Sequence, residues 1–369
     1  MRIGIDARLN AYREGGISEY TRHLIDSLAV LDTASDYRIL HHAGSAASLI
    51  PAGNFHRVNV YTPCHHRTER FVLSIEVARL RLDLLHSPDF IPPRFGAKRT
   101  VVTVHDLNFM YYPQFQTPDS LRYYNGNIRA AVRQADHILA DSQATKDDLG
   151  NLLNVPADKV TVHTLGVNSI FQPLPGETVA EVKGRLGLPS TYLLFVGTFE
   201  PRKNLLGLVN AYHALCDALS DTPPLVIAGR RGWLYESIFQ KVTELGLDKR
   251  IIWLEDPAFG DLPAVYNGAA ALVLPSFYEG FGLTALEAMA CGIPTVVSNR
   301  GSIPEVVGDV GLMIDPDRPE SLVDGLRRIL TDSDLRKRSR AAGIARARTF
   351  TWARTAEIAL SVYRRVLER

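Results

Sequence analysis

The chain has 369 residues, 46% of them apolar and 22% charged, and a formal net charge of +1. That length exceeds one ordinary core and implies two domains of a water-soluble globular protein, while the balanced charge argues against a dedicated nucleic-acid binder. Cys64, Cys216 and Cys291 lie far apart without CxxC spacing, so neither a zinc site nor a disulfide framework is implied, and a reducing cytoplasm is the simplest setting.

The opening residues, MRIGIDAR, alternate as a strand over 3–5 and lack the apolar core of a signal peptide. No apolar run of about 18 residues follows anywhere, so no membrane span is expected. Gly15 and Gly16 open a loop that allows a ligand to approach the backbone closely. Residues 18–31 carry apolar side chains at helical spacing, with Ser18 as N-cap. Further strands are expected at 37–40, 84–85, 100–104, 137–140 and 159–162, and a helix at 122–134. His65 and His66, flanked by Pro63 and Arg67, read as an exposed loop without a role. The strand VTVHD ends in His105 and Asp106, placed to bind ligand hydroxyls or move a proton; a satisfied structural histidine is the plainer alternative. A proline-rich break at 171–176 marks the interdomain linker.

The same rhythm restarts beyond it, with strands at 192–196, 225–228, 251–253, 271–274, 295–297 and 312–314. From Pro319 the chain is helical and arginine-rich, which reads as a solvated face, with a membrane-surface role left open. Strand–helix alternation gives an α/β chain of parallel sheets covered on both faces. Ligands bind at the carboxyl ends of such strands, and two domains facing each other would enclose a cleft.

Two stretches concentrate chemistry. FVGTFEPRKN leaves a strand at Gly197 and Thr198 and brings Arg202 and Lys203 to a helix start, where cations and unpaired amides suit a diphosphate. EGFGLTALE places Glu279 on a loop, Gly280, Phe281 and Gly282 in a turn, and Leu283, Thr284 and Glu287 on the helix that follows. Amides at that helix start could hold phosphate while the carboxylates bind hydroxyls. Arg230 follows another strand and is within reach of phosphate or base, or is simply solvated. Asp315-Pro316-Asp317 is turn chemistry rather than a metal site. Phosphate-loop, HExxH and GxSxG motifs are missing, and Gly280-x-Gly282 lacks the third glycine of a dinucleotide fingerprint.

EGFGLTALE resembles the E-x7-E signature of the retaining glycosyltransferases of family 4, and GTFEPRKN resembles the G-T-x-E-P-R-K-N motif of one of their branches. Gly15-Gly16-Ile17-Ser18-Glu19-Tyr20 is similar to the family's N-terminal glycine loop, and His105-Asp106 to its cleft-lining pair. Ala140-Asp141-Ser142 also resembles a cleft-lining strand end, of obscure part. The resemblance implies a GT-B fold: two doubly wound Rossmann-like domains facing a central cleft. An acceptor-side domain would span 1–171 plus a returning helix at 352–369, and a donor-binding domain 172–351. Arg202 and Lys203 would neutralise the donor diphosphate. Glu279 would bind sugar hydroxyls and Glu287 the ribose. His105 would contact the donor sugar, with Asp106 holding that edge. Donor contacts would also come from Gly15, Gly16, Gly197, Thr198, Arg230 and residues 280–284. Many relatives carry arginine where Thr198 stands. Neither a cofactor nor a divalent metal is required. The branch points to GDP-mannose as donor, with UDP-glucose, UDP-N-acetylglucosamine and dTDP-rhamnose open, and to a glycan or lipid-linked acceptor of surface polysaccharide. A sugar-nucleotide epimerase and a silent carbohydrate-binding scaffold are the rival readings.

Overall fold

The computed structural model describes residues 1–12, 15–46, 48–51 and 53–369. The chain divides into two compact units, Met1–Gly166 with Thr351–Arg369, and Val167–Phe350.

The first unit holds β1 (Arg2–Asp6), β2 (Asp36–His42), β3 (Phe55–Val60), β4 (Leu82–Ser87), β5 (Ala97–Val104), β6 (His137–Ala140) and β7 (Val160–Val162). They form one parallel sheet in the order β3-β2-β1-β4-β5-β6-β7. Ile3, Ile5, Leu84, Leu85, Val101, Val102, Ile138 and Leu139 are fully buried. Their apolar runs are continuous because helices cover both faces. At Gly4 a Cβ would lie 2.4 Å from Leu82 Cδ1, so the Leu82 side chain of β4 fills the space over β1 that a larger residue would need. The first helix is Gly16–Leu31; it starts before Ser18, which lies inside it and is not its N-cap.

The helix Trp352–Leu367 returns to this unit, buries Ala356, Ala359, Val362 and Tyr363, and is tied by Thr355 Oγ1 donating to the Thr164 carbonyl at 2.6 Å. Gly166 admits it: a Cβ there would meet Trp352 N at 2.2 Å.

The second unit holds β8 (Leu193–Val196), β9 (Leu225–Gly229), β10 (Ile251–Glu255), β11 (Ala271–Leu274), β12 (Thr295–Ser298) and β13 (Leu312–Ile314), parallel in the order β10-β9-β8-β11-β12-β13. The strand order reverses between β1 and β4 and between β8 and β11. Those switch points open a crevice at the strands' carboxyl ends.

The proline-rich stretch does not separate the units. Phe171 is buried against Phe259 and Tyr266, with ring centroids at 5.8 and 5.6 Å, and Asn267 binds the Gln172 carbonyl and the Leu174 amide. Residues 167–171 therefore belong to the second unit, and Thr351 to the first. The solvated arginine face is also narrower than expected. Arg346 donates to the Glu305 and Val306 carbonyls and lies over the Phe350 ring, and Arg336 donates to the Ile329 and Leu330 carbonyls. Among the described residues no helix is long and apolar enough to cross a membrane.

Candidate functional site

In the second unit the ends of β8 and β9 approach closely. Gly197 has φ 153° and Gly229 φ 143°, and a Cβ on Gly229 would fall 2.0 Å from the Gly197 carbonyl oxygen. The loops that follow are joined by Phe199 N donating to the Arg230 carbonyl at 2.8 Å and Gly232 N to the Phe199 carbonyl at 3.1 Å. Thr198 packs in this junction: a Cβ on Gly232 would lie 2.7 Å from its Cγ2. Arg230 is half-buried here, while Arg231 is held by Glu255 at 2.6 Å and by the Phe239 ring at 4.8 Å.

Pro201–Lys203 forms one tight helical turn. Asn204, left-handed at φ 56°, ends it and caps the helix Leu205–Ala218 by accepting from Gly207 N. Its amide donates to the Pro275 and Pro316 carbonyls, which fixes the turn against the end of β11.

Arg202 and Lys203 meet Glu279 there. Lys203 Nζ lies 2.7 Å from Glu279 Oε1, which also accepts from Ser276 Oγ at 2.6 Å. Arg202 Nη1 lies 2.9 Å from Glu279 Oε2 and donates to the Tyr278 carbonyl, and its Nη2 lies 2.5 Å from Glu200 Oε1. Burial raises the Glu279 pKa, but the Lys203 and Arg202 charges outweigh it and hold the carboxyl down at about 2. Two cations against two carboxylates give a formally neutral cluster. The Glu279 contact uses one of the three N–H donors an ammonium carries. The expected cations are thus brought together, with Glu279 as their partner in this state.

The turn at 280–282 is braced from residues 301–303. The Glu279 carbonyl accepts Ser302 N at 3.1 Å and Ser302 Oγ at 2.9 Å, and Gly301, at φ 58°, approaches so closely that a Cβ would lie 2.6 Å from it. Gly280 is buried, and Phe281 packs on Phe350 at 5.9 Å. Gly282, at φ 94°, starts the helix Leu283–Ala290, which no side chain caps. The amides of its first turn, at Leu283 and Thr284, are therefore left for water or a ligand. Glu287 accepts the Tyr266 hydroxyl at 2.7 Å. Ser276, Ser302 and Tyr266 carry no motif and were not anticipated. Arg300 spans Asp315 and Asp317 at 2.9 and 2.8 Å, so that acidic pair is an arginine clamp.

In the first unit the sequence neighbours His105 and Asp106 do not pair. His105 Nδ1 lies 2.6 Å from Asp141 Oδ2, and its Nε2 lies 2.8 Å from the Pro88 carbonyl. Asp106 accepts from Asn108 instead. Two acceptors on one imidazole require both nitrogens to carry protons. Burial works against that charge, but the Asp141 carboxylate outweighs it and raises the ring to about 9. The two contacts fit a doubly protonated ring, for which Asp141 supplies the counter-charge. Behind it runs a buried chain of hydrogen bonds. His163 Nε2 meets Tyr20 Oη at 2.9 Å, Tyr20 meets Thr103 Oγ1 at 2.9 Å, Thr103 meets His86 Nε2 at 2.8 Å, and His86 Nδ1 meets Tyr363 Oη at 2.6 Å. The returning helix is thereby linked to the strand ends.

The crevice between β1 and β4 holds a cluster that the sequence reading missed. Arg8, 1% exposed, bonds Asp6 at 2.7 Å, Glu69 at 2.8 Å and the Thr62 carbonyl at 2.9 Å. Glu69 also accepts the Tyr123 hydroxyl and the His65 amide, both at 2.7 Å, and His65 Nε2 lies 3.0 Å from Asp89. His65, given no role above, thus lines this crevice with Asp6, Arg8, Glu69 and Asp89. An arginine two positions past a strand-end aspartate was the available signal. Gly15 precedes the first helix and Gly16 begins it. A Cβ on Gly16 would meet no protein atom within 4 Å, and residues 13 and 14 of that loop lie outside the described set.

Two open parallel sheets, each with polar groups gathered at its switch point, are the Rossmann-like halves of a GT-B fold. The same architecture occurs in sucrose-phosphate synthase from Thermosynechococcus elongatus, at TM-score 0.81 and 20% identity over 100% of this chain and 99% of that one. Anabaena Alr3699/HepE, solved in complex with UDP and glucose, superposes at TM-score 0.77 and 18% identity over 98% of this chain and 99% of its own. Residues 14–169 match the family described as Glycosyltransferase Family 4, and residues 180–346 match Glycosyl transferases group 1. The chain is 31% identical to O-antigen chain mannosyltransferase B of Escherichia coli over 95% of its length and 96% of that protein. It is also 31% identical to a D-inositol 3-phosphate glycosyltransferase of a Nocardioides species over 80% of this chain and 70% of that one. The chain belongs to glycosyltransferase family 4.

Proposed function

We propose that this protein is a retaining mannosyltransferase that moves mannose from GDP-mannose to a glycan or lipid-linked glycan of a surface polysaccharide. The observation that carries the reading is the Arg202–Lys203–Glu279 cluster beside the uncapped helix at Gly282. Likeness to O-antigen chain mannosyltransferase B supports the choice of sugar.

In this reading the second unit binds the donor. Lys203, Arg202 and the amides at 282–284 take the diphosphate, Glu279 holds sugar hydroxyls and Glu287 the ribose. Thr198, Gly197 and Arg230 line the phosphate side. The first unit selects the acceptor, and His105, held by Asp141, presents a positive edge to the sugar, while Asp106 turns the chain that follows through Asn108. The bond from the sugar's anomeric carbon to the phosphate oxygen breaks, and the acceptor oxygen bonds to the same face. The acceptor proton passes to the departing phosphate oxygen. Charge grows on the leaving group, so fixed donors there lower the barrier most. These cations serve without a divalent metal.

A thermal-shift panel of GDP, UDP, dTDP and ADP, with and without EDTA, tests the reading. Stabilisation by GDP that survives EDTA is expected. Stabilisation by UDP alone would overturn the choice of donor, and loss of the GDP effect with EDTA would overturn metal independence.

A further inference from the structure

The twelve residues between Asp106 and Asp119, LNFMYYPQFQTP, carry no charge, yet hold four aromatic and three amide side chains. They leave the carboxyl end of β5 as two short turns, Asn108–Tyr111 and Pro113–Phe115, before the helix Pro118–Gln134. Asp106 ties the start of the segment to its end: it accepts from Asn108, whose own side-chain oxygen accepts from Gln116 Nε2 at 2.8 Å. Leu107 and Phe109 turn inward, and Phe109 packs on Phe90 and Tyr124 with centroids at 6.0 and 5.5 Å. Tyr111 is 43% exposed, and its hydroxyl donates to Asp148 at 2.7 Å. Tyr112 and Phe115, both half-buried, lie nearly parallel, 6° apart in plane with centroids at 5.3 Å. Gln114, between them in sequence, is exposed.

This chemistry fits a sugar. A pyranose shows C–H bonds on its ring face and hydroxyls around its edge. Aromatic rings cover the face, and amides, which both donate and accept, match the edge. An anionic lipid or a nucleic acid would find no cation within the segment. The position agrees. The segment follows His105 directly, is anchored on one side at Phe90 beyond β4, and on the other at Asp148 in the helix Gln143–Leu153 beyond β6. It therefore stands one or two strands away from the crevice between β1 and β4. At the spacing of paired strands that is about 5–10 Å, a span on the scale of one or two sugar rings.

We propose that Tyr111, Tyr112 and Phe115, with Gln114, form a platform for a neutral sugar of the acceptor chain, one or two residues away from the sugar that receives transfer. The inference rests on the glycan acceptor argued above and adds that the protein favours a chain of sugars over a single one. Tyr112 and Phe115 carry the ring contact, and Gln114 a hydroxyl contact. The Asp106–Asn108–Gln116 bonds, the buried Phe109 and the Tyr111–Asp148 bond hold the segment before the ligand arrives, so little ordering is lost on binding.

Saturation-transfer NMR of the full chain without donor, titrated with mannose and with an α-linked mannopentaose, tests it. Wild type is expected to bind the pentaose at least about tenfold more tightly than mannose. Tyr112→Ala with Phe115→Ala should bring the pentaose down to about the level of mannose. Gln114→Ala, at an exposed position, should weaken the pentaose roughly threefold, and Tyr112→Phe, which keeps the ring, should bind as wild type. Thermal unfolding checks the fold of each variant, and the two single variants carry the test if the double variant unfolds. No binding of any pentaose, equal affinity for mannose and the pentaose, a loss shared by mannose, or unchanged affinity in the folded Ala variants would overturn the proposal. A glucose- or galactose-based pentaose that binds instead, with the same loss in the variants, would uphold the platform and overturn mannose as the sugar. Because no donor is present, a wrong choice of donor leaves the result untouched.

Discussion

The His105–Asp141 pair should give the first unit a pH dependence of defined sign. Both imidazole nitrogens face acceptors, and the side chains are only 18% and 3% exposed, so solvent screens the pair little. An unfolded histidine titrates near about 6.5. Carrying it to about 9 amounts to about 3 kcal/mol of stability. A folded pKa raised above the unfolded one stabilises fully below about pH 6.5, and the effect is lost as pH rises through about 9. Asp141→Asn removes the counter-charge and should cost that amount at near-neutral pH. Urea unfolding of wild type and variant across this range gives the test. The stability difference should shrink steadily from about pH 6.5 to about pH 9. A constant difference would refute the reasoning, because it would mean that the lost contact does not involve a titrating ring.

Other substitutions bear on the donor side. Lys203→Ala should raise the barrier by about 2–4 kcal/mol, read as a fall of roughly thirtyfold to a thousandfold in kcat/KM; a loss under about tenfold would contradict a role at the leaving group. Glu287→Gln should raise the donor KM about tenfold and leave kcat nearly unchanged, as expected for binding shared by ground and transition states. Gly229→Ala would force a Cβ to within 2.0 Å of the Gly197 carbonyl. It should destabilise the second unit by at least about 2 kcal/mol in urea unfolding, and an unchanged midpoint would contradict the close approach.

How much of this was legible in the sequence follows from how local each signal is. Strands buried on both faces, such as β5, β8 and β11, announce themselves as continuous apolar runs. β3, with the sequence FHRVNV, did not, because it lies at the sheet edge and keeps polar residues. The helix Glu69–Ala78 escaped because apolar side chains on its outer face blur the helical period. At the site, His105, Lys203 and Glu279 stood out within their motifs, but their partnerships did not. His105 meets Asp141 across 36 positions, and Lys203 meets Glu279 across 76. Arg8 was passed over because a lone arginine after a strand is ordinary, and Glu69, 61 positions away, makes it a buried cluster.

The most direct test of the central claim is to incubate the protein with GDP-α-mannose and a mannose-terminated oligosaccharide and determine the product's anomeric configuration by NMR. Transfer with release of GDP and an α linkage is the predicted result. A β-linked product, or transfer from UDP-sugars with none from GDP-mannose, would contradict it.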